Sequence, residues 1–170
     1  LDQAEAGVLA GIFAAAGQTC VAGSRAFIHQ SIYDEMRERL VSRAKKIRLG
    51  DPLLAQTQMG PGATKMQLQK DHQMIERAVS EGAQVLTGGR KASVAGFADG
   101  LFFEPTILAN AGPANYIMNE EVFGPVLALT PFHDEDEVVR LANGTRFGLA
   151  AGVWTRDLAR AHIMARRLQA

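Results

Sequence analysis

Short apolar runs of strand character alternate along this 170-residue chain with amphipathic, helix-like segments, and no other feature constrains the fold as tightly. Strands separated by helices can be joined by crossovers that leave them parallel, with the helices packed over the sheet. The expected fold is a layered α/β domain with a largely parallel central sheet flanked by helices. Strand character appears at Arg25–His29, Gln84–Thr87, Val126–Phe132, residues 102–108 and, as turn plus strand, residues 147–154. Pro105 interrupts the 102–108 run, which marks it as an edge or irregular strand.

The helical segments carry their own start and stop signals. An alanine-rich helix spans residues 2–16 and ends at Gly17-Gln18. Ser31-Ile32-Tyr33-Asp34 reads as a capping box with Asp in the usual Glu position, opening a helix whose Ile32, Met36, Leu40, Ala44 and Ile47 form one stripe. After the Gly60-Pro61-Gly62 loop a second amphipathic helix runs to about Gly82, with Leu68, Ile75 and Val79 on its apolar side. Acidic residues 134–137 start a further helix that Asn143-Gly144 ends, and Asp157 caps the last one, through Leu168. Residues 90–100 read as an exposed loop.

Composition narrows the class of function. A 47% hydrophobic content is ample for one core at this length, and 18 basic against 18 acidic residues give no net charge to steer the chain toward nucleic acid or an anionic membrane. One cysteine and four scattered histidines provide neither a disulfide framework nor a metal-ligand cluster. Neither a membrane-length apolar run nor a signal peptide is visible, and a reducing, cytoplasmic setting fits best. His29, His72, His133 and His162 read as packing or surface residues, and Arg160, Arg166 and Arg167 as a solvated helix end. No G-x-G-x-x-G follows a strand and opens a helix, so Gly88-Gly89 is a turn and not a phosphate cradle.

Two segments carry chemistry. In Gly17-Gln18-Thr19-Cys20-Val21-Ala22-Gly23-Ser24-Arg25 the only thiol sits among small and polar residues just past a helix. An unpaired cysteine is commonly a small buried hydrophobe, whereas glycines and serine around it favour an accessible nucleophile. In Asn119-Glu120-Glu121-Val122-Phe123-Gly124-Pro125-Val126 two carboxylates and an aromatic precede a Gly-Pro turn. Taken alone, this is a solvated acidic pair before a strand, with Phe123 and Val126 in the core; a ligand-facing loop is the other reading.

Together the two segments resemble the aldehyde dehydrogenase family. So do Gly50-Asp51-Pro52, Met59-Gly60-Pro61, Glu81-Gly82-Ala83, Gly88-Gly89, Phe103-Glu104-Pro105-Thr106, Ala142-Asn143 and Phe147-Gly148-Leu149-Ala150-Ala151, and the likeness covers practically the whole chain. The resemblance implies NAD(P)-dependent oxidation of an aldehyde to a carboxylic acid, with Cys20 as nucleophile through a thiohemiacetal and a thioester. It implies that the backbone N–H of Cys20 is an oxyanion donor, that Glu121 hydrogen-bonds the nicotinamide ribose, and that Phe123 packs near that ribose and ring. The cofactor is NAD or NADP, the partner a small aldehyde, and the full-length parent a homodimer or homotetramer.

The departures from the family pattern lie at the ends. The family's general-base glutamate, in a Glu-Leu-Gly-Gly-like stretch before the nucleophile, and an asparagine assisting the oxyanion hole both fall upstream of Leu1. Residues 1–170 thus read as an excised catalytic, cysteine-bearing domain, the dinucleotide-binding domain being absent. Two alternatives stay open: a relative that acylates coenzyme A or reduces an acyl phosphate, and a non-catalytic assembly domain.

Overall fold

The structure, a computed structural model, describes residues 1–170. Four strands form one sheet in the order β1-β4-β3-β2: β1 Arg25–His29, β2 Gln84–Thr87, β3 Thr106–Ala109 and β4 Val126–Phe132. The β1–β4 and β3–β4 pairings are parallel and only the β2–β3 pairing is antiparallel, so the sheet is largely parallel, as the alternation predicts. Six α-helices accompany it: α1 Asp2–Phe13, α2 Tyr33–Ala44, α3 Lys65–Ser80, α4 Tyr116–Asn119, α5 Glu135–Asn143 and α6 Leu158–Arg167.

Strand β4 shows why the layers form. Its residues alternate between faces, so Leu127 and Leu129 enter a core with Leu9, Ile12 and Phe13 of α1 and Met36 and Leu40 of α2. Val126 and Ala128 enter a second core with Leu68, Met74, Ile75 and Ala78 of α3 and Ile117 and Met118 of α4. A central strand buried on both faces needs an unbroken apolar run, and this sequence supplies one.

Several expectations are corrected. The first helix ends at Phe13, and Ala14–Gly17 form a tighter turn in which Ala15 and Ala16 take left-handed backbone angles (φ 50° and 53°). Ser31 does not cap α2, because its hydroxyl and its N–H both engage Nδ1 of His29, and the helix starts only at Tyr33. Ile32 is consequently exposed. Thr106–Ala109 is an interior strand and not an edge: Pro105 precedes the first paired amide, Thr106 N–H donates to Pro125 O at 2.9 Å, and all four strand residues are buried.

Residues 147–154 form no strand. They lie on the surface with Phe147, Leu149, Val153 and Trp154 exposed, and the Trp154 indole packs over Gly7 of α1, where a Cβ would collide with it. On α3, Val79 is exposed and the buried stripe is Leu68, Asp71, Ile75 and Ala78, with Met74 beside it. The helix has therefore put a carboxylate where its spacing calls for a hydrophobe. The caps at Asp134, accepting from Glu137 N–H at 2.8 Å, and Asp157, accepting from Arg160 N–H at 3.1 Å, stand as expected.

Candidate active site

Cys20 is exposed, so the buried-hydrophobe reading of it fails. It sits in an open turn after the left-handed alanines: Ala22 N–H donates to Thr19 O at 2.9 Å, and Gly23 N–H reaches back to Gly11 O at 3.1 Å. The Cys20 N–H donates to no protein acceptor. A free amide and a free thiol on one residue can serve the same substrate oxygen and carbon.

The second segment lies against the first. Thr19, the neighbour of Cys20, lines a narrow cleft of about 20 Å³ together with Gly17, Ser24, Glu121, Phe123 and Gly124. Gly17, at φ +71°, approaches so closely that a Cβ there would run into the carbonyl of Gly124 and sit 2.9 Å from the nitrogen of Pro125. Only glycine satisfies both the left-handed angle and the contact.

The two acidic residues have different surroundings. Glu120 is engaged by Arg146, Nη2 to Oε2 at 2.6 Å. The carboxylate of Glu121 has no hydrogen-bond or ion-pair partner in the protein, while its main-chain oxygen accepts from Lys70 Nζ at 2.9 Å. Phe123 holds φ +60°, a left-handed angle that costs a bulky residue on the order of 1 kcal/mol, and the residue is 36% exposed where a core residue is the other reading. Val126, by contrast, is buried.

Beneath this segment lies α3. Gln67 Nε2 donates to Val122 O at 2.8 Å and to Asp71 Oδ1 at 2.7 Å. Asp71 is 1% exposed, and burial pushes its carboxyl up to about 6 against the opposing hydrogen bond from Gln67 and the charge of Lys70. Sequence reasoning missed Gln67, Lys70 and Asp71, since polar residues on an amphipathic helix look like its wet face. The signal was the 68-71-75-78 spacing, which places Asp71 on the apolar stripe. On the outer side of the same helix a hollow of about 250 Å³ is bordered by Lys70, Gln73, Met74, Arg77 and Tyr116. Its cations are already engaged: Arg77 bonds Glu81 at 2.9 Å and stacks 3.7 Å from the Tyr116 ring centre.

Glu121 and Phe123 give the cleft an unpaired carboxylate that can accept hydrogen bonds from a ligand and an exposed aromatic side chain. A metal ion has no comparable site, because no group of three or more His, Cys, Asp or Glu comes together.

Comparison with known proteins covers the chain from end to end. The family profile described as "Aldehyde dehydrogenase family" matches residues 1–170. A betaine aldehyde dehydrogenase of Mesorhizobium japonicum is 45% identical over 170 residues, 100% of this chain and 35% of that protein. That of Brucella anthropi is 45% identical over 162 residues, 95% of this chain and 33% of the relative. Among solved structures, betaine aldehyde dehydrogenase from Staphylococcus aureus in complex with NAD+ superposes with a TM-score of 0.97 at 38% identity, over 99% of this chain and 33% of that one. A point mutant of an aldehyde dehydrogenase from Bacillus cereus gives 0.94 at 37% identity, over 99% of this chain and 34% of that one. The chain spans about a third of the length of the curated relatives it matches.

Proposed function

The chain belongs to the aldehyde dehydrogenase family, and from that premise we propose that it is the cysteine-bearing catalytic domain of an NAD(P)-dependent enzyme that oxidises an aldehyde to a carboxylic acid. The observation that carries the reading is the contact of Gly17 with Gly124, which brings the turn bearing Cys20, through its neighbour Thr19, and the loop bearing Glu121 and Phe123 to one cleft.

In this reading the Cys20 thiolate attacks the aldehyde carbon and forms a thiohemiacetal. Its own unpaired N–H stabilises the oxyanion as the carbonyl becomes tetrahedral. Glu121 would accept the two hydroxyls of the nicotinamide ribose and Phe123 would flank the ring; the dinucleotide, when bound, supplies the hydride acceptor that the oxidation needs. Oxidation leaves a thioester on Sγ, which water cleaves to release the acid and restore the thiol. The water-activating base and the dinucleotide-binding domain belong to the remainder of a full-length protein, which we propose acts in the cytoplasm as a homodimer or homotetramer. Exposed Leu149, Trp154 and Leu158 are the apolar surface that such surroundings would cover. No helix of the chain is long and apolar enough to cross a membrane.

Betaine aldehyde, the substrate in the relatives' names, is the first to try. The full-length enzyme should produce NADH or NADPH and free acid from an aldehyde, and Cys20→Ser should abolish both. An acyl-coenzyme A product, formed only when coenzyme A is added, would replace hydrolysis by acyl transfer. Retained turnover in Cys20→Ser would overturn the covalent mechanism, and robust turnover by residues 1–170 alone would overturn the division into domains.

A further inference from the structure

We propose that Asp71 is a positioning residue for the cofactor-facing loop: by fixing the side-chain amide of Gln67 it holds the main chain of residues 121–124 against α3. The inference rests on the reading of that loop as the nicotinamide site.

The hydrogen bonds allow only one arrangement of the amide. Val122 O can only accept, and an ionised Asp71 can only accept, so the Gln67 NH2 group must face both, at 2.8 and 2.7 Å. Without the carboxylate the amide could turn over and present its oxygen to Val122 O, and the loop would lose that bond. Lys70 Nζ, bonded to Glu121 O at 2.9 Å, supplies a second attachment one turn along the same helix face. Gly124 completes the fit: a Cβ there would strike the Asp71 carboxyl group, with Oδ1 at 2.5 Å. The loop and the carboxylate therefore lie in direct contact, at the residue that also touches Gly17.

The location argues against a purely structural role. Asp71 occupies a stripe otherwise made of Leu68, Ile75 and Ala78, and an apolar side chain would fill it without the penalty of burying a charge. A group that weakens the fold where it sits, and whose one polar partner reaches the candidate site, is accounted for by what that partner holds.

The test compares wild-type full-length enzyme with Asp71→Asn and Asp71→Leu, measuring cofactor affinity by NADH titration, KM for the dinucleotide, kcat, and melting temperature. Asp71→Asn keeps the shape but can offer the amide either a donor or an acceptor. Both variants should weaken cofactor binding and raise its KM by about tenfold, the worth of one charge-assisted hydrogen bond. The melting temperature should not fall, and kcat at saturating cofactor should change far less than KM. Gln67→Leu should give the same loss, and combining it with Asp71→Leu should add little. An active wild type whose cofactor affinity is unchanged in folded Asp71→Asn, or variants that lose kcat and stability together with KM unmoved, would overturn this inference alone. A wild type that neither binds nor reduces a nicotinamide dinucleotide would overturn the functional reading and this inference with it.

Discussion

Gly17 touches the carbonyl of Gly124 at a distance that no side-chain-bearing residue could tolerate, and this contact joins the cysteine turn to the loop preceding β4. Gly17→Ala adds a methyl group against a backbone that cannot yield and leaves the new residue at φ +71°. The expected loss is about 2–4 kcal/mol of folding stability, read by urea denaturation. Any part of the loss relieved by separating the segments should also appear as faster proteolysis near Cys20.

Exposed Cys20 makes no packing contribution, so Cys20→Ser should leave stability within about 0.5 kcal/mol of wild type. In the full-length enzyme the same change should lower kcat by about a thousandfold or more, because an alcohol at neutral pH is a far weaker nucleophile than a thiolate. A drop in KM alone would contradict it.

Asp71 should make folding stability fall with rising pH in the mildly acidic range. Its carboxyl is at about 6 when folded against 3.8 as the ordinary value, so below about pH 4 both states carry the proton and there is no penalty. Between the two values the unfolded chain loses its proton while the folded one keeps it, and stability declines. Above about pH 6 the penalty is constant, at most about 3 kcal/mol. Asp2 and Glu81 act in the opposite sense, their carboxyls lying below the usual range through bonds to Arg39 and, for Glu81, to the Tyr116 N–H and Arg77. The effect is therefore isolated by subtracting Asp71→Asn, whose advantage over wild type should grow from pH 4 to pH 6 and then level off.

Buried Glu5 on α1 is held by Arg39 at 2.7 Å and Arg43 at 3.3 Å on α2, with Asp2 also on Arg39. Arg39→Met should lower stability, since it leaves a buried carboxylate short of a partner, and adding Glu5→Met should recover a large part of the loss. Chemical denaturation of the three variants measures the coupling; strictly additive losses would show that the pair does not interact.

Most of the architecture was legible because it follows from local pattern. The unbroken apolar run of β4, the acidic start of α5 and the Asp157 cap each fix an element with no help from distant residues. What was not legible depends on neighbours. Residues 102–108 looked like an edge because Pro105 lacks a donor, yet the ladder begins one residue later. Residues 147–154 have the composition of a strand but pair with none in this structure. At the candidate site, the segments bearing Cys20 and bearing Glu121 and Phe123 stand out in the sequence, and the structure brings those segments to one cleft. Gln67, Lys70 and Asp71 do not, since only the packing of α3 beneath the loop reveals that Asp71 is buried, that Gln67 is half-buried, and that the exposed Lys70 reaches the loop's main chain.

Lys70 and Gln67 grip carbonyl oxygens, which every amino acid possesses, and neither forms a hydrogen bond or ion pair with the Glu121 carboxylate. Shape and chemistry in this loop are accordingly separable, like a clamp and the tool mounted in it. On the proposed reading, replacing the side chain at Glu121 or Phe123 would change what the loop offers to a ligand while leaving its mounting in place, and natural variation or an engineer would have a position where ligand preference can be rewritten without refolding the protein.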